Sequence, residues 1–190
     1  MPLLRVSCRS GRLIRQSVLP ALLCLLLDLQ AETKPTAAPP AVSVAPAPES
    51  AHNAAMIFDD AASRALTAMK QRAEALHVTG VAVVAYAEGA AVSSWSSRML
   101  VVGKMTSPPS EKSKGDNLLG IAYAKAAEMA STLEDSGSGV RAPYTGEFGW
   151  KGGVVAKGRT GWLIVAFSGG PSEDDVKISK TGLEILAGEL

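Results

Sequence analysis

The sequence predicts an α+β sandwich: an antiparallel sheet of two hairpins or more, with about three helices on its faces. Three observations predict it. Two short apolar runs, VAVVAYA and WLIVAFS, each sit beside a Gly-containing turn and a second arm. Segments with helical spacing of apolar residues lie before, between and after these hairpins. Single strands alternating with crossover helices, which a parallel sheet requires, do not occur.

The elements belong to a body that begins near Met56. Residues 1–31 read as a signal peptide. Arg5, Arg9, Arg12 and Arg15 precede the apolar run VLPALLCLLL from Val18 to Leu27. That run is well short of the roughly 20 apolar residues needed to span a bilayer. Leu29-Gln30-Ala31 offers the cleavage site. The expected destination is periplasmic or extracellular, with no membrane span once the leader is removed. Cys8 and Cys24 are the only cysteines and both lie in the leader. The exported chain then has no disulfide, no thiol nucleophile and no cysteine ligand for a metal. Residues 32–55 read as a linker: five prolines and many alanines, without an aromatic residue, favour an extended spacer over a packed core.

Within the body, 56–190, Asp59 or Asp60 is expected to cap the first helix. Ala62, Leu66, Met69, Ala73 and Leu76 then form one apolar stripe at spacings of 3 and 4. Val81 to Ala87 reads as a buried strand. Glu88-Gly89 reads as a tight turn, and Val92 to Ser97 as the second arm, anchored by Trp95. Val101 to Asp116, with Gly103, Pro108-Pro109 and Gly115, reads as loop. Asp116 or Asn117 caps a second helix running to about Leu133, whose buried face carries Leu118, Ile121, Ala122, Lys125, Ala126 and Met129. Ser136 to Gly149 is a Gly/Ser-rich connection. Val154 to Ala156, the turn Lys157-Gly158 and Trp162 to Ser168 make the second hairpin. Ser168-Gly169-Gly170-Pro171-Ser172 ends it, and Ser172 with Asp175 resembles a capping box for the last helix.

Charge excludes one function class. The chain carries 19 Lys and Arg against 18 Asp and Glu, a formal net charge of +1, so no sequence-wide basic field exists to hold nucleic acid. The chemistry-bearing residues are few. Histidine occurs only at His52, in the linker, and His77, at the end of the first helix. A Ser-His-Asp triad would have to use His77, and no G-x-S-x-G elbow accompanies it. A hydrolase or zinc enzyme is therefore disfavoured. His77 reads either as a polar helix end or as a ligand. Lys151-Gly152-Gly153 reads either as a strand entry or as a place where a ligand approaches the backbone closely. Ser168 to Ser172 reads as a structural turn or as an anion seat at a helix start. Met99, Met105 and Tyr86 are candidate axial ligands for an iron porphyrin, or simply core and loop filling.

These residues also carry a resemblance. The run VAVVAYAEGA from Val81 to Ala90, Arg98-Met99, Lys125-Ala126, Gly152-Gly153, IVAFSGGPSEDD from Ile164 to Asp175 and Thr181-Gly182-Leu183 together resemble the GlcG/HbpS-like haem-binding (haem-degrading) family, related to the C-terminal domains of PduO-type proteins. The similarity spans nearly all of residues 58–188. It departs at Ala85-Tyr86-Ala87-Glu88-Gly89, where the family has an aspartate and two glycines, and at Leu100-Val101-Val102, where it has Asp-Gly-Ala. The resemblance implies a profilin-like fold. It implies an exported haem- or iron-binding accessory protein that holds a planar apolar ligand in a groove near Arg98 and Lys125, the two cations pairing with propionates. The cofactor-binding set is then Arg98, Lys125, His77, Gly152 and Gly153, with no catalytic residue. The alternative is a cofactor-free interaction module that forms homo-oligomers, with Trp95, Trp150 and Trp162 as anchors where exposed. A third reading, an enzyme acting on organic acids, lacks a plausible base.

Overall fold

The computed structural model describes residues 49–190 apart from Lys112, with side chains from Met56 onward. The expected signal peptide and most of the expected linker lie outside the described residues. Helix α1 spans Glu49–Ala75, strand β1 Gly80–Glu88, β2 Ser96–Val102, β3 Thr106–Ser107 and β4 Asp116–Asn117. Helix α2 spans Leu118–Thr132, β5 Gly153–Lys157, β6 Gly161–Ser168 and α3 Ser172–Glu189. The order of helix, hairpin, helix, hairpin, helix is as expected, and the body is an α+β sandwich. No helix among the described residues is long and apolar enough to cross a membrane.

The principal sheet has the order β2-β1-β6-β5, and every pair is antiparallel. Strand register divides the side chains between two cores. Ala82, Val84, Val102, Leu163, Val165 and Phe167 face α1 and α3, where Phe58, Met69, Ile178 and Leu186 cover them. Val81, Val83, Ala85, Ile164 and Ala166 face α2 and meet Leu118, Ala122, Ala126 and Met129. The central strands β1 and β6 are thus covered on both faces, which explains their near-continuous apolar runs.

Four expectations need correction. Helix α1 begins ten residues before Asp59, inside the expected linker. From Glu49 to Ala75 no proline interrupts the helix, and the alanines of 51–55 are the best helix formers. Asp59 and Asp60 therefore lie within α1 and cap nothing. Strand β2 begins at Ser96 rather than Val92, because Val92 and Trp95 turn inward against the core beneath α2. The connection before it is held instead by Gly89 N–H to Thr160 O (2.9 Å) and Trp162 Nε1–H to Ala90 O (2.9 Å). The expected loop from Val101 is strand through Val102 and then contributes a two-stranded ribbon, β3 with β4. Finally, Ser172 and Asp175 form no capping box. The residue preceding α3, Pro171, makes no side-chain cap, and Asp175 is turned into the protein.

The other helix ends follow the sequence. Asn117 caps α2 by accepting the Gly120 N–H at 3.0 Å. Helix α1 closes in a Schellman motif: Val78 N–H donates to Ala73 O (2.9 Å), His77 N–H to Glu74 O (3.0 Å), and His77 takes the left-handed conformation at φ 57°.

Candidate functional site

Two neighbouring features stand out: a polar cleft at the start of α3 and an aromatic arch beside it. The cleft is organised by Lys125. Its place on the sheet-facing side of α2 buries it, leaving 3% of the residue exposed. Burial of an ammonium demands partners. Its Nζ donates to Phe167 O at 2.8 Å and to Asp175 Oδ2 at 2.9 Å, while Asp175 Oδ1 accepts the Gly170 N–H at 2.9 Å. The pair ties α2, on one face of the sheet, to the first turn of α3, which packs on the other, around the end of β6. Burial pushes the Lys125 ammonium below its usual range and the Asp175 carboxyl above its own; their mutual attraction opposes both shifts.

Gly152 makes this arrangement possible. At φ 136°, a Cβ there would lie 2.3 Å from Lys125 Nζ and 2.9 Å from Asp175 Cβ. Its carbonyl accepts from Ser179 Oγ (2.6 Å) and from Phe167 N–H (3.0 Å). Gly153 plays the matching part beneath Met129, whose Cε would stand 2.4 Å from a Cβ. The two glycines thus admit the protein's own side chains rather than an outside ligand. The open part of the cleft, about 200 Å³, is lined by Lys125, Asp175, Ser168, Ser172, Trp150, Lys151 and Asp116, among others.

The arch is residues 140–150. Arg141 grips Glu147 with both guanidinium nitrogens, at 2.6 and 2.8 Å, and also donates to Ser131 Oγ at 2.7 Å on α2. Glu147 Oε2 accepts the Tyr144 N–H at 2.8 Å, and the Arg141 guanidinium lies 3.9 Å from the Tyr144 ring centroid. Glu128, buried on α2, accepts the Gly137 N–H at 2.9 Å and fastens the chain just before the arch. So held, the loop presents Tyr144, Phe148 and Trp150 to solvent, 67%, 46% and 49% exposed. The Phe148 and Trp150 rings pack at 4.8 Å between centroids. The Arg141 guanidinium holds the Glu147 carboxyl down at about 2, and the Tyr144 N–H adds to that shift. A depressed carboxylate contributes stability above its unfolded pKa and loses it as pH falls through the folded one. We therefore expect the arch to stay closed at pH 4 and to release only as pH approaches 2. Carbon NMR of the Glu147 side chain, followed with Trp150 fluorescence, checks this; release near pH 4.5 contradicts it.

The expected cofactor set does not assemble. Arg98 pairs in register with Val84, on the α1 face of the sheet, and donates to Asp59 of α1 at 2.7 Å. Lys125 is on the opposite face, so no groove joins the two. Lys125 is moreover committed to Asp175 and Phe167, and Gly152 and Gly153 are filled by the chain itself. His77 is exposed at the end of α1, where its backbone serves the helix terminus. Tyr86 shares a hydrogen bond with Thr160 Oγ1 at 2.6 Å, Met99 packs against the α2-side core, and Met105 is exposed; the three do not converge. Among the described residues no three His, Cys, Asp or Glu side chains gather as a metal site would need. Of the three tryptophans expected as anchors, only Trp150 is exposed. Trp95 packs against the core and lines an apolar groove of about 380 Å³. Trp162 is half-buried under Lys157, 4.7 Å from its ring centroid.

Sequence reading missed the arch. The available signal was that three of the chain's nine aromatic residues fall within 144–150, inside a connection otherwise rich in Gly and Ser. No known protein family and no curated protein matches the sequence.

Proposed function

We propose that the body is the binding module of an exported accessory protein, that the aromatic arch is its recognition surface, and that its partner is a second copy of this chain. One observation carries the reading: Tyr144, Phe148 and Trp150 are exposed together on a loop already locked by Arg141, Glu147 and Glu128. Large aromatic anchors dominate interface energetics, and a loop ordered in advance loses little entropy on binding. The test is independent of any cofactor: native mass spectrometry with sedimentation velocity, without added hemin. Wild-type protein should assemble, and Trp150→Ala should weaken assembly roughly 30-fold, as for a hot-spot truncation of about 2 kcal/mol. A monomeric wild type at high concentration rejects the self-association reading.

A haem-class planar ligand is the second reading, and kinship with the GlcG/HbpS-like family belongs to it. It is favoured by the adjoining Phe148 and Trp150 rings, which offer an apolar shelf, with the exposed Lys151 next in sequence as a partner for a propionate. Hemin should then give a saturable Soret shift that Trp150→Ala weakens. Arg98→Ala should leave it unchanged, because Arg98 is bound to Asp59 on the other face of the sheet. A spectrum identical to that of free hemin rejects this reading.

A further inference from the structure

The cleft beside the arch holds a polar group that the fold leaves unused. Ser168, the last residue of β6, is 4% exposed. Its register partner is Val81, so its side chain points toward α2, where it lines the cleft with Lys125. Its hydroxyl makes no hydrogen bond to the protein among the described residues. No enclosed side-chain polar atom there lacks a partner, so this hydroxyl opens onto the cleft, where its donor is free for a ligand. Lys125 adds to the surplus: an ammonium has three N–H donors, and only two are used, by Phe167 O and Asp175. Beyond these stand the first turn of α3, at Ser172, and the exposed ammonium of Lys151.

From this cluster we infer that the cleft is a binding site for a small monocarboxylate. The unused groups on its floor are donors, so the ligand must bring acceptors. A carboxylate accepts from the Ser168 hydroxyl and the spare Lys125 N–H together, with Lys151 at the mouth. Charge selects one negative charge over two. The lining holds two cations, Lys125 and Lys151, and two carboxylates, Asp175 and Asp116; one ligand charge is met by the spare donors of Lys125, Ser168 and Lys151, whereas a second would face the two carboxylates with no donor left to meet it. Asp175 itself is spent on Lys125 and Gly170 and does not compete for the Ser168 hydroxyl. The Trp150 indole walls the opening, which favours a ligand with a short apolar tail. The site shares only Trp150 with the self-association surface, its donors being Ser168, Lys125 and Lys151, and it holds whether or not the arch pairs two copies.

The experiment is a two-dimensional amide NMR titration of the full chain with acetate, against sodium chloride and sulfate at matched ionic strength. Saturable shifts are expected with acetate at Ser168, Gly169, Ser172 and Lys151, and not with chloride. Ser168→Ala should weaken acetate binding at least threefold with the thermal midpoint nearly unchanged. Lys151→Ala, a surface change that leaves the fold alone, should weaken it as well. Shifts that grow linearly, that chloride reproduces, or that saturate with sulfate and not with acetate overturn the inference. So does undiminished acetate binding by both variants. Failure of self-association in the native mass spectra, with acetate shifts intact, removes the arch reading and leaves this one standing.

Discussion

Lys125→Ala is expected to cost about 3–5 kcal/mol of folding stability, the range for removing one partner of a buried ion pair. The substitution leaves the Asp175 carboxylate enclosed without its cation and the Phe167 carbonyl without its donor. It also opens a void between α2 and the start of α3. Domains of this size hold roughly 5–15 kcal/mol in total, so the variant should sit close to the unfolding threshold. Asp175→Ala should behave similarly, for it strands the ammonium instead. The apolar pair Lys125→Met with Asp175→Leu separates charge from packing. It removes both desolvation penalties at once, and we expect it to be clearly more stable than either single variant. Urea denaturation of the four proteins checks this through the midpoint at constant slope. A Lys125→Ala midpoint indistinguishable from wild type would show that the pair contributes nothing to holding α3 in place.

Gly152→Ala should be the next most damaging single change, although it adds only a methyl group. The backbone there has φ 136°, where side chains are strained by about 1–3 kcal/mol. The new Cβ would also meet Lys125 Nζ at 2.3 Å, Asp175 Cβ at 2.9 Å and Phe167 O at 3.0 Å. Overpacking of this kind costs a further 1–3 kcal/mol or so. The lysine tip is flexible, but it is held by the two acceptors it needs, and the Phe167 carbonyl is backbone. Relief therefore has to come from breaking the ion pair. The expected signature is a lowered thermal midpoint together with shifted Ser168 to Ser172 amides, and a smaller drop in the Lys125→Met, Asp175→Leu background, where no ion pair is left to break and the strain at φ 136° remains. An equal drop in both backgrounds would trace the damage to the backbone alone.

The legible part of this protein was its element order. The stripe of Ala62, Leu66, Met69 and Ala73 identifies α1 from sequence, because a helix against a sheet must place an apolar residue every three or four positions. The runs Val81 to Ala87 and Trp162 to Ser168 identified the central strands for the matching reason, that two covered faces leave no place for polar alternation. Asn117 was legible as a cap because the capping bond is local, reaching only three residues along the chain. Strand β2 was less so. Trp95 looked like part of it, yet the residue turns against the α2-side core and delays the strand to Ser96.

The candidate site was legible only as isolated residues. Lys125, Gly152, Ser168 and Asp175 were each visible in the sequence, with a ligand role, a turn role and a capping role assigned among them. That Lys125 and Asp175 satisfy each other across fifty positions, with Gly152 leaving the room, is a long-range fact. Arg98 and Lys125 seemed a natural pair of cations. Strand register sends Arg98 to one face of the sheet and α2 holds Lys125 on the other. The amino-acid sequence alone thus determined which segments coil, which extend and in what order, since those choices rest on short-range periodicity and local hydrogen bonds. Tertiary structure alone decided which polar groups are consumed within the fold and which, like the Ser168 hydroxyl and the Trp150 ring, are left over. Burial and pairing depend on what the rest of the chain brings to the same point in space, and no local pattern encodes that.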